Sequence, residues 1–158
     1  MLRTKDILDE KDPRVRAKNT DVDFPLNDEY KDIIPEMLKH LRYSQIEKLS
    51  KKYDLRPGMG LAAPQLGINK NFFVVCYEVK DGVFDDYILI NPKVISYSEE
   101  MIYAGEGEGC LSVNREVEGI VPRHARITVE AYDLDGNKRK YRVREDLAIA
   151  FQHELDHL

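Results

Sequence analysis

The chain has 158 residues, enough for one ordinary domain with a substantial core. Hydrophobic residues make up 42% and charged residues 34%, a balance that excludes a disordered chain. The net charge of −5 gives no bulk attraction to nucleic acid, so no DNA partner is expected.

The N-terminus, MLRTKDILDEKDP, is charged throughout and lacks an apolar signal core. No apolar run reaches the roughly 18 residues that a membrane helix needs. A cytoplasmic protein with no membrane partner is the expectation. Residues 12–18 read as a short helix after Pro13. From Asn27 to about Lys52, Ile33, Ile34, Met37, Leu38, Leu41, Ile46 and Leu49 recur near a 3.6-residue period, which predicts one long amphipathic helix. Asn27 suits its N-cap, and Pro35 can bend its first turns.

RPGMGLAAPQLG (56–67) is turn-rich, and β character follows it. The expected strands are 71–79, 86–91, 93–98, 119–133 and 138–144, with Asp-Gly at 135–136 closing a hairpin between the last two. KRKYRVR (138–144) is a local basic run; alternation puts its charges largely on one solvated face, and a docking patch for RNA or a ribosome is the alternative. REDLAIAFQHELDHL (144–158) returns to helix, with Glu145 and Asp146 suiting its N-terminus. The expected fold class is α+β: mixed or antiparallel sheets packed around a C-terminal metal-binding helix that carries H-E-x-x-H.

On that helix His153 and His157 lie one turn apart on one face, so both imidazoles can reach one metal. Glu154 is rotated by about 100° from His153, too far round to be an equal ligand but near enough to act as base on a water beside the metal. The third ligand has to come from upstream. Cys110 is the best candidate, a potential thiolate bracketed by GEGEG and LS, with Glu106 and Glu108 as competitors. His40 and His124 stand outside any comparable motif. Cys76, within NFFVVCYEV, reads as a small buried side chain, and two cysteines are too few for a disulfide scaffold.

Three motifs now occur in order: GMGLAAPQ at 58–65, EGCLS at 108–112 and HELDH at 153–157. Together they resemble the peptide deformylases, and the long early helix and GEGEGCLSV resemble the larger, Gram-positive type. The resemblance implies an amide hydrolase that removes the formyl group from the N-terminal formyl-methionine of nascent polypeptides and releases formate. It implies Fe²⁺ held by Cys110, His153 and His157, with Zn²⁺ or Ni²⁺ as replacements. It makes Glu154 the proton carrier, and the Gln65 side-chain amide and Leu111 N–H the donors to the developing oxyanion. Formyl-methionyl peptides are the partners, with a transient ribosome contact possible.

For the substrate, Gly58 and Gly60 leave backbone uncovered for an extended peptide. Met59, Leu61, Leu111, Ile149 and Ala150 are candidates to line an apolar slot, and Gly109 is counted with the substrate-binding residues. Asp156 is expected beside a ligand histidine or Arg123, the arginine of VPR at 121–123. Residues 1–158 are read as a single catalytic domain, truncated just after the metal motif, since the family continues beyond it. The competing readings are an H-E-x-x-H zinc metallopeptidase and a catalytically inactive, deformylase-like peptide-binding domain.

Overall fold

The structure is a computed structural model that describes residues 1–104, 110 and 121–158. Its organising element is β2 (Phe72–Lys80), whose first five residues are all buried. A strand apolar at consecutive positions has to be covered on both faces. Phe72, Val74 and Cys76 face a core shared with α1 (Asp28–Ser44), contributed there by Ile34, Met37, Leu38 and Leu41. Phe73 and Val75 face a second core with Ala148 and Phe151 of α3 (Glu145–Asp156). The sheet is thus sandwiched between the two helices, and the site is built where α3 meets one edge of it.

That five-stranded sheet runs β1-β2-β3-β6-β7, antiparallel throughout, with β1 at Gly60–Ala62, β3 at Val83–Tyr97, β6 at Arg126–Tyr132 and β7 at Lys138–Arg144. A two-stranded sheet pairs β4 (Met101–Ile102) with β5 (Arg123–His124). The α+β expectation with an antiparallel sheet is met, and a C-terminal helix is present. Among the described residues no helix is long and apolar enough to cross a membrane.

Several boundaries differ from expectation. The helix predicted over 27–52 is two: α1, then α2 (Glu47–Lys52). Asn27 does cap α1, its side chain accepting from the Glu29 N–H at 2.9 Å. The break follows from side chains competing for backbone. Ser44 Oγ donates to the Leu41 carbonyl (2.7 Å), and Gln45 Nε2 bonds the Leu41 and Cys76 carbonyls at 3.2 and 2.9 Å. The strands expected at 86–91 and 93–98 are one, β3, with its register shifting between Ile90 and Lys93. Asn91 sits there at φ 52°, its side chain paired with both backbone groups of Val22.

Within the stretch expected as strand 119–133, residues 119 and 120 lie outside the described residues, and β5 and β6 are separate strands. The Asp-Gly turn closes β6 on β7 as expected: Gly136 has φ 81°, and the Asp133 carboxylate accepts from the N–H groups of Asp135 and Asn137. In β7 only Val143 is buried, and the outward residues of KRKYRVR are exposed. The short helix expected at 12–18 is a 3₁₀ turn, Pro13–Arg16.

Candidate metal centre and pocket

α3 starts in a first turn carrying Glu145 and Asp146 and ends with His157 at its C-cap, still helical at φ −76°, ψ −17°. His153 and His157 therefore stack one turn apart, ring centroids 5.1 Å from each other. Cys110 comes to them from outside the helix, its Sγ 3.5 Å from His157 Nε2. The ligand atoms of Cys110, His153 and His157 all lie within 4.8 Å of one another. A tetrahedral ion with bonds of ~2.0–2.3 Å spaces its donors by roughly 3.3–3.8 Å, so this set converges as a metal site requires. A thiolate with two imidazoles suits zinc, iron and nickel alike. Burial, then the charge of His153, pushes the His157 imidazole down to about 4, so near neutral pH its ring is uncharged and keeps a lone pair for a metal.

The facing wall comes from the segment around β1: residues 56–59 before it and the 3₁₀ turn Ala63–Leu66 after it. Gln65 is 1% exposed, and its Oε1 accepts from the Ala62 N–H at 2.9 Å. That bond turns Nε2 the other way, to 3.8 Å from Cys110 Sγ. The Arg56 guanidinium donates to the Cys110 carbonyl. Ser44 Oγ accepts from the Gly58 N–H (3.2 Å), and the Met59 carbonyl accepts from Cys76 N–H (2.7 Å), which pins residues 58–60 to α1 and β2.

Glu154 is 4% exposed and lies against Gly60. A Cβ on Gly60 would sit 2.5 Å from Glu154 Oε2 and 2.7 Å from its Cδ. The sequence suggested that Gly60 leaves backbone open to a peptide. The structure adds a second reason for glycine, which is room for the carboxylate.

On its other face α3 is tied to β5. Gln152 exchanges two hydrogen bonds with His124, accepting from its N–H and donating to its carbonyl, both at 2.8 Å. One turn on, Asp156 pairs with Arg123 at 2.5 Å, the arginine expected from VPR. His40 is buried and bonded to the Leu2 carbonyl at 3.0 Å, far from any role in this set. Burial, with the Asp86 carboxylate adding, pushes the Cys76 thiol up to about 12, so it stays protonated inside the core.

A pocket of about 350 Å³ opens beside the cluster. Gly58, Met59, Gly60, Ile149 and Ala150, all expected at the substrate, line it together with Gln65, Cys110, His153 and Glu154. Leu61 does not: it is fully buried in the core against α1, because alternation along β1 turns it away from its neighbours' face. Gly109 and Leu111 lie outside the described residues. Gln45, Pro57, Ala104 and Asp146 also line the pocket and were missed. Asp146 was within reach of sequence, seven residues before His153 on the same helical face; Gln45 comes from a distant helix end and left no signal.

The sequence profile of the polypeptide deformylases matches residues 4–158. The chain belongs to that family. The peptide deformylase of Macrococcus caseolyticus is 49% identical, aligned over all of this chain and 86% of its own length. That of Oceanobacillus iheyensis is 46% identical with the same coverage. Among solved structures, the Thermotoga maritima peptide deformylase superposes with a TM-score of 0.72 at 32% identity, covering 96% of this chain and 89% of its own. A plant peptide deformylase gives 0.77 at 30%, covering 96% and 73%. Family membership across the whole chain favours the deformylase reading over a zinc peptidase, which would leave GMGLAAPQ and EGCLS without a purpose.

Proposed function

We propose that the chain hydrolyses the formyl amide of N-terminal formyl-methionyl peptides, yielding formate and a free amine, and that residues 1–158 act as one catalytic domain. The observation that carries this is the convergence of Cys110, His153 and His157 beside buried Glu154 and Gln65 at the wall of one pocket. These three residues are the proposed ligands of a single Fe²⁺, with Zn²⁺ or Ni²⁺ as replacements. When bound, the ion supplies Lewis acidity that polarises the formyl carbonyl and makes water acidic enough to react near neutral pH.

The chain's own groups perform the rest. Glu154 takes a proton from the attacking water and delivers one to the amine nitrogen as the C–N bond breaks. Its burial keeps competing water away. Gln65 Nε2 donates to the oxygen that gains charge on the formyl carbon, with the Leu111 N–H as the proposed second donor; losing one such donor typically costs about 2.7–4 kcal/mol of barrier. The backbone leading into β1, at Met59 and Gly60, is what the extended peptide would pair with, and Met59, Ile149 and Ala150 receive the methionine side chain. The place of action is the cytoplasm, where new chains are made. A transient ribosome contact belongs to the same reading, with the outer face of β6 and β7 as its surface.

The test is anaerobic formate release from formyl-Met-Ala with metal analysis. Glu154→Gln should keep near-parental metal and lose about 10²–10⁴-fold in rate, since glutamine has nearly the same shape but accepts no proton. His153→Ala should lose the metal itself. Equal metal loss in both variants would make Glu154 a ligand and refute this assignment.

A further inference from the structure

Asp146, Ile149, Ala150 and His153 follow the spacing i, i+3, i+4, i+7 and all line the pocket. The helical rise of ~1.5 Å per residue puts Asp146 roughly 10 Å along α3 from His153. The pocket thus runs from the metal-competent cluster, past two apolar side chains, to a carboxylate. Asp146 is exposed, and neither a hydrogen bond nor an ion pair to another side chain engages its carboxylate among the described residues. The nearest basic residue in sequence, Arg144, is exposed and points from the opposite side of β7 to buried Val143.

Away from the cluster, the polar side chains lining the pocket are, among the described residues, Gln45 and Asp146. Gln45 spends its Nε2 on the Leu41 and Cys76 carbonyls, so it has only Oε1 to offer a ligand. Both groups are therefore acceptors. A side-chain tip entering here meets lone pairs and negative charge, with no donor side chain opposing them among the described residues.

We propose that Asp146 is a specificity-determining residue, selecting against first-residue side chains that end in an acceptor or an anion and favouring linear ones that end in a cation. This rests on the proposed deformylation and goes beyond it. Methionine and norleucine are apolar and fit the middle of the pocket. Lysine has the same unbranched stem, one heavy atom longer, and brings its ammonium toward Asp146. Glutamate and methionine sulfoxide bring only acceptor oxygens and lose the solvation those oxygens had in water.

The experiment measures kcat/KM for formyl-Lys-Ala, formyl-norleucyl-Ala, formyl-Glu-Ala and formyl-Met-sulfoxide-Ala with the metal-loaded protein. For Asp146→Asn the lysine-to-norleucine ratio should fall by about fivefold, the worth of an exposed ion pair near the top of its range. The glutamate-to-norleucine ratio should rise. Asp146→Glu should hold both ratios, and Asp146→Ser serves if the asparagine variant does not fold. Salt should lower the parental lysine-to-norleucine ratio, which a purely steric role would not do. Unmoved ratios in Asp146→Asn, or a parental preference for formyl-Glu, would overturn the proposal. Formate release from formyl-Met-Ala separates the two claims. Its absence would count against the hydrolysis itself, and calorimetric affinities of the same peptides would still report on Asp146.

Discussion

At Gly60 a single hydrogen decides whether the site can be assembled. The Glu154 carboxylate occupies the space where any other residue would put its Cβ, at 2.5 to 2.8 Å. Glu154 is buried, so it has little room to swing aside. Gly60→Ala should therefore displace the carboxylate rather than unfold the protein. Overpacking of this kind costs about 1–3 kcal/mol of stability, while a misplacement near 1 Å in an active site can cost ~10²-fold in rate. Steady-state kinetics beside a denaturation curve will tell, and near-parental kcat would mean that Glu154 tolerates the push. His157 carries a different signature. Its folded-state pKa of about 4 lies below the ordinary 6.5, so between these values the unfolded chain binds the extra proton. Its contribution is whole above about pH 6.5 and is lost as pH falls toward 4. In metal-free protein the melting temperature should drop across that window, and the drop should be smaller in His157→Asn. An equal drop in both would place the acid sensitivity elsewhere.

At the level of elements, α3 is set in position by its polar face as much as by its apolar one. Gln152 copies the hydrogen bonding of a neighbouring strand against His124, while Ala148 and Phe151 pack into the sheet. Gln152→Ala would leave a backbone N–H and a carbonyl of β5 without this partner, which costs about 1–3 kcal/mol when such groups are buried. Because His153 is the next residue, metal affinity should also fall, by about 10–100-fold if Gln152 acts as outer-shell partners usually do. Gln152→Glu, which can accept but not donate, should fall between the two. Metal titration and urea unfolding read the two effects, and unchanged values in both would remove the role. This part of the fold was partly legible in the sequence. His153, Glu154, His157 and Cys110 showed through because their chemistry is local and rare. The break of α1 at Ser44–Gln45 did not, because the apolar period continues past it; what stops the helix is a pair of side-chain bonds, one reaching Cys76 on a strand far along the chain. β1 was hidden for a related reason: a three-residue strand is fixed by its partner β2, and no period can be read from so short a piece.

Across the whole molecule the net charge of −5 conceals an uneven distribution. Register places Arg126 opposite Arg144, Thr128 opposite Arg142, and Glu130 opposite both Lys140 and Lys93, all on the face of the sheet turned away from α3. A hydrogen bond from Lys138, with the charges of Lys140 and Lys93 behind it, holds the Glu130 carboxyl below its usual range. Arg126 has Glu100 at 3.7 Å, but Lys140, Arg142 and Arg144 make no ion pair among the described residues. Their spacing along β7 is about 6.8 Å per two residues, a scale on which successive cations can meet a phosphate backbone. Lys140, Arg142 and Arg144 do not line the pocket, which is built from α3 and the segment around β1, so a polyanion held here would leave it open. If ribosome contact uses this face, replacing Lys140, Arg142 and Arg144 together with glutamate should abolish co-sedimentation with ribosomes at low salt. The parent's own co-sedimentation should weaken steeply as salt rises, since each neutralised phosphate releases counterions. Formate release from a short free peptide should stay at the parental rate, because none of the three residues touches the pocket. Retained co-sedimentation in the triple variant would move the contact to another surface. A loss of free-peptide activity would show instead that β7 supports the site through the sheet.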